Sequence, residues 1–158
     1  MKKFALYFTL FSSSLAVANS TPIETISSSS INLQSAARVS QLAIKKASEM
    51  KLEVCIAIVD STGNLIHFQR MDGTKVASVT IALDKAYTAA SYQKSTGALG
   101  KVSQPGTAAY GLITVPRTIV FQGGVPIKSK DGSTIGGIGI SGASAAQDEE
   151  IALYALGK

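Results

Sequence analysis

The chain has 158 residues, with 15 Lys and Arg against 10 Asp and Glu, a formal net charge of +5. Hydrophobic residues make up 46% and charged residues 16%, which supplies a core, argues for one compact domain and excludes a disordered chain. One Cys and one His exclude a disulfide scaffold and a Cys/His zinc tetrad. Gly, Ala and Ser together form about a third of the sequence. Small side chains let elements approach closely, and the low charge suggests that some surface is buried against another subunit.

In chain order, Met1-Lys2-Lys3 precedes an apolar run from Phe4 to Val17 that closes in Ala16-Val17-Ala18. That is a basic start, a hydrophobic stretch and an Ala-x-Ala cleavage site. Ser12, Ser13 and Ser14 break the run, and a spanning helix needs about 20 apolar residues. Residues 1–18 therefore read as a signal peptide. Its removal takes two lysines and no acid, lowering the charge from +5 to +3. The expected product is exported, periplasmic or secreted, with no membrane segment after cleavage. Residues 19–30, with Pro22 and the serines Ser27 to Ser30, read as a flexible leader. Residues 31–158 read as a single domain.

Small or apolar residues recur at three and four from Leu33 to Lys51, which predicts an amphipathic helix capped by Asn32. Val54 to Val59 predicts a buried strand, with Cys55 as a buried thiol. Asp60 to Asn64 is turn chemistry, and Leu65 to Arg70 is the return strand of a hairpin. Val76, Val79, Leu83, Ala86 and Ala90 support a helix over residues 76–92. Ser95 to Val102 predicts one or two helical turns, and Gln104 to Gly111 a loop. Thr118 to Phe121, Val125 to Lys128 and Thr134 to Ser141 predict three further strands, with turns at Gly123-Gly124 and Asp131-Gly132. Ser144 and Gln147 predict a capping box for a last helix, whose positive end Asp148, Glu149 and Glu150 suit. The predicted order is α-β-β-α-(α)-β-β-β-α, an α+β domain with a mostly antiparallel sheet.

His67 is the only imidazole available to a hydrolytic triad, and no Gly-x-Ser-x-Gly elbow accompanies it. It fits the polar face of a half-buried strand or, alternatively, a single ligand to metal or haem iron. The glycines from Gly136 to Gly142 match neither a dinucleotide fingerprint nor a P-loop. They suit close packing of a helix on a strand. Arg70 can hold a carboxylate bidentately or pair with Asp72 or Asp84. Lys85, Tyr87 and Thr88 share a helix, where Lys85 or Thr88 can face a pocket or Lys85 can be solvated. A charge of +3 without a basic run argues against nucleic acid.

Several segments carry a resemblance. They are Val59-Asp60 with Gly63, Arg70-Met71-Asp72-Gly73, Lys85-Ala86-Tyr87-Thr88-Ala89, Gly123-Gly124-Val125-Pro126-Ile127, Ile135 to Ala143, and Gln147-Asp148. In this order they resemble the GlcG/HbpS-like family, a haem-binding-type domain also found at the C-terminus of some corrinoid adenosyltransferases. The resemblance implies a five-stranded antiparallel sheet flanked by helices, of profilin-like architecture. It implies homo-oligomers and, in some members, haem binding. An exported member serves as a haem-responsive accessory to a sensor protein. Iron ligation in the family uses a His near the first helix or a Thr. The first helix here has no His, so Thr88 and His67 are the candidates, with Tyr87, Tyr92 and Tyr110 as possible phenolates. Arg70 or Lys85 would pair with propionates. The expected function is an exported, non-catalytic haem- or tetrapyrrole-binding accessory protein. Two other readings stay open: a binder or enzyme for a small carboxylate metabolite at Arg70, and a structural oligomer or partner module without a ligand.

Overall fold

The computed structural model describes residues 28–158. The predicted signal peptide and most of the predicted leader lie outside the described residues. Helix α1 (Leu33–Glu49) leads to strands β1 (Cys55–Asp60) and β2 (Leu65–Arg70). Helices α2 (Ala77–Tyr92) and α3 (Thr96–Val102) follow, then a short 3-10 turn at Tyr110–Thr114. Strands β3 (Gly124–Lys128) and β4 (Thr134–Ser141) and helix α4 (Ala145–Ala155) complete the chain. The sheet order is β2-β1-β4-β3, and every pairing is antiparallel.

Both expected helix caps form. Asn32 accepts from Ser35 N–H at 2.8 Å, and Ser144 and Gln147 make a reciprocal capping box. The class is α+β, but the sheet has four strands and not the expected five. Thr118–Val120 form no regular element and Phe121 lies in a bend, so no ladder forms here. The reason is a competing partner: Thr88 Oγ1 donates to Arg117 O and accepts from Ile119 N–H, each at 3.0 Å. Groups that a strand would pair with a neighbour go to one side chain of α2. Gly123-Gly124 therefore turns no hairpin; Gly124 opens β3.

The sheet is covered on both faces, so β1 reads as an unbroken apolar run. Ile56 and Ile58 of β1, with Ile138 and Ile140 of β4, pack beneath α1 and α4. Cys55, Ala57 and Val59 face α2, which answers with Ala82, Ala86 and Ala90. The two faces differ in thickness. On the α2 side β4 presents Gly137 and Gly139. A methyl at Gly139 would overlap Ala82 O and stand 2.5 Å from Ala86 N. The helix backbone thus rests on the sheet backbone, which only the Ala and Gly stripes permit.

Candidate functional site

The close seating of α2 sets the position of Lys85. Its side chain is fully buried. Its ammonium donates to Asp148 Oδ2 of α4 at 2.8 Å and to Ile140 O of β4 at 2.9 Å. Helices α2 and α4 lie on opposite faces, so the pair crosses from one layer to the other. Gly123 makes the passage possible, since a Cβ there would lie 2.6 Å from Lys85 Nζ and 2.8 Å from Asp148 Cβ. Asp148 Oδ1 also accepts from Ala143 N–H at 3.1 Å. Burial pushes the Lys85 ammonium down, and the bond to Asp148 draws it partly back. Burial pushes the Asp148 carboxyl up, with Lys85 opposing. Over the ammonium lies the ring of Phe121, its centroid 5.0 Å from Nζ.

Phe121 is 46% exposed, and it walls a cleft of about 590 Å³ between α3, the 120–122 segment and the start of α4. Ala98, Val120 and Ala145 give this cleft apolar surface. Ser95, Lys101, Gln104, Gln122 and Glu149 give it polar groups. Gln122 Nε2 donates to Glu149 Oε2, and Gln104 Nε2 donates to Gly100 O at 2.6 Å. Gly97 and Gly100 keep α3 close to its floor; a Cβ at Gly100 would overlap Val120 O.

Lys85, Tyr87 and Thr88 sit together on α2, but their functional atoms face different partners. Thr88 is buried and spent on the 117–119 backbone. The Tyr87 ring stacks under the Arg117 guanidinium at 3.9 Å, and Arg117 Nε also pairs with Asp84 at 3.1 Å. Arg70 and His67 lie apart on β2. Arg70 donates to Thr74 O at 3.0 Å and lines a second cleft of about 470 Å³ with Ile44, Glu53, Gln69, Met71 and Asp72. His67 Nε2 is enclosed without a hydrogen-bond partner among the described residues and lines neither cleft. Among the described residues no group of three or more His, Cys, Asp or Glu is placed to hold a metal ion, and no helix is long and apolar enough to cross a membrane.

Sequence reasoning missed the Asp148 partner, reading it as a helix-end acid. It also missed the α3 cleft. One signal was present: Lys85 falls within the Ala82, Ala86 and Ala89 stripe that packs inward, so a charge there needs a buried partner.

Three comparisons place the chain. A protein of Citrobacter freundii, described as an uncharacterized 15.0 kDa protein in the dhaT-dhaS intergenic region, is 38% identical over 128 residues, 80% of this chain and 89% of that one. The crystal structure of Klebsiella pneumoniae protein ORFY superposes with a TM-score of 0.82 at 34% identity, covering 87% of this chain and 96% of that one. The crystal structure of PduOC in complex with haem superposes with a TM-score of 0.76 at 33% identity, covering 81% and 94%. Residues 31–157 match the family described as haem degrading protein HbpS-like. The chain belongs to the HbpS-like family.

Proposed function

We propose that this protein is an exported haem- or tetrapyrrole-binding accessory protein with no catalysis of its own. The supporting observation is the likeness to PduOC, which was crystallised with haem, over 94% of that chain. The α3 cleft suits the macrocycle. Phe121 offers an exposed aromatic surface, Val120, Ala98 and Ala145 offer apolar walls, and Lys101 offers an ammonium for a propionate. Bound haem would be a cargo or a signal to a sensor protein. The signal-peptide pattern of residues 1–18 supports export. The test is a haem titration of the mature chain followed at the Soret band. A saturable change at micromolar haem, one per chain, is the expected result, and no spectral change overturns the reading.

One observation favours a second reading, a small carboxylate ligand. Arg70 lines its own cleft and gives a single described hydrogen bond, to Thr74 O. It has no carboxylate partner among the described residues. A thermal-shift screen of small carboxylates, repeated on Arg70→Ala, separates this reading from the first. Stabilisation that vanishes in the variant supports it, and none in the native protein removes it.

A further inference from the structure

We infer that the α3 cleft recognises its ligand by ring and carboxylates and not by metal coordination, so that metal-free and iron-loaded tetrapyrroles bind alike. The inference deepens the tetrapyrrole reading and rests on it. The common haem-iron ligands in proteins are imidazole, thiolate, thioether and phenolate. The cleft lining carries none of these, and its hydroxyl, on Ser95, caps α3 by accepting from Ala98 N–H at 3.2 Å. Lys101 presents an ammonium, which has donors and no lone pair. Glu149 is already held by Gln122.

The residues that do carry such groups lie outside the cleft lining: His67 stands on β2, Met71 just after it in the Arg70 cleft, and Tyr110 in the 3-10 turn. Cys55 is fully buried between sheet and α2. Tyr87 is stacked on Arg117, and the Tyr92 hydroxyl faces Thr118 Oγ1 at 3.4 Å. Thr88 has given its hydroxyl to the 117–119 backbone. The donors fit a planar, anionic, largely apolar ring, and they do not fit its metal. Phe121 supplies the stacking surface while Lys85 holds the ring from the core side. Lys101 supplies the charge.

The test compares protoporphyrin IX with haem on the full mature chain, by fluorescence quenching and by Soret absorbance. The expected dissociation constants agree within about threefold, since no coordinate bond separates them. Phe121→Ala weakens both by about five- to tenfold, and Lys101→Ala weakens both by about two- to fivefold. Both side chains are exposed, so neither variant threatens the core. Haem bound more than about tenfold tighter, with a low-spin spectrum lost in His67→Ala or Met71→Ala, overturns the inference and leaves the tetrapyrrole reading standing. Equal binding that ignores both cleft variants overturns the placement. Binding of neither ligand overturns the reading and the inference together.

Discussion

At the scale of single residues the Lys85–Asp148 pair dominates. A buried ion pair gains little over an apolar pair of the same volume, because desolvation offsets the attraction. Removing one partner is different, because it strands a charge in the core. Lys85→Met is expected to cost about 3–5 kcal/mol in chemical denaturation. The double variant Lys85→Met with Asp148→Leu is expected to recover most of that loss. A double variant no more stable than the single would show that the pair is more than a matched burial. A second residue-scale prediction concerns Asp60. Partial burial pushes its carboxyl up, but bonds from Thr62 and Asn64 outweigh this and hold it below the ordinary 3.8. A depressed folded value means the stabilisation is present above 3.8 and is lost as pH falls through the folded value. Asp60→Ala is expected to lower Tm by about 4 °C at neutral pH. The gap to the native protein should shrink in melts run below pH 3.8. A gap that stays constant across pH contradicts the assignment.

At the scale of elements, the sequence was most legible where one periodicity served one layer. Helix α1 and its Asn32 cap, the β1–β2 hairpin, α2 and the Ser144 box all follow from local pattern. The fifth strand failed for a reason no local pattern carries. Thr118, Ile119 and Val120 have the β-branched character of a strand, yet a hydroxyl 31 residues upstream satisfies Ile119 N–H. The glycines of β4 were legible as packing surface, and the structure gives that reading a number. Gly139→Ala is expected to cost about 3 kcal/mol by forcing α2 off the sheet. Gly111 has nothing within 4 Å of its would-be Cβ. Gly111→Ala should therefore change stability by less than about 0.5 kcal/mol. Equal effects at both glycines would contradict the backbone-on-backbone seating of α2.

At the scale of the whole molecule, the site was less legible than the fold. Lys85, Tyr87 and Thr88 are neighbours in sequence, but helical geometry sends their atoms to three environments. The α3 cleft is built from residues around 97–104, 120–122 and 145–149, which nothing local links. The exposed apolar side chains Val102, Tyr110, Ile113 and Val115 fall close together in sequence. We propose that they lie in a homo-oligomer interface. Light scattering of the protein is expected to report a mass several times the 16.4 kDa of one chain. Val102→Asp with Ile113→Asp should reduce it toward the monomer. A monomer in the native protein would sink the proposal.

Cys55 carries one more consequence, and it is kinetic. The thiol has no exposed surface, burial pushes its pKa up, and it lies between β1 and the alanines of α2. A reagent can reach it only when α2 lifts from the sheet. Its labelling rate is therefore a direct clock for that opening. In the native protein the labelling half-time should approach that of global unfolding. In Gly139→Ala it should shorten far more than in Gly111→Ala. The same enclosure means that Cys55 can form an interchain disulfide only before the chain folds.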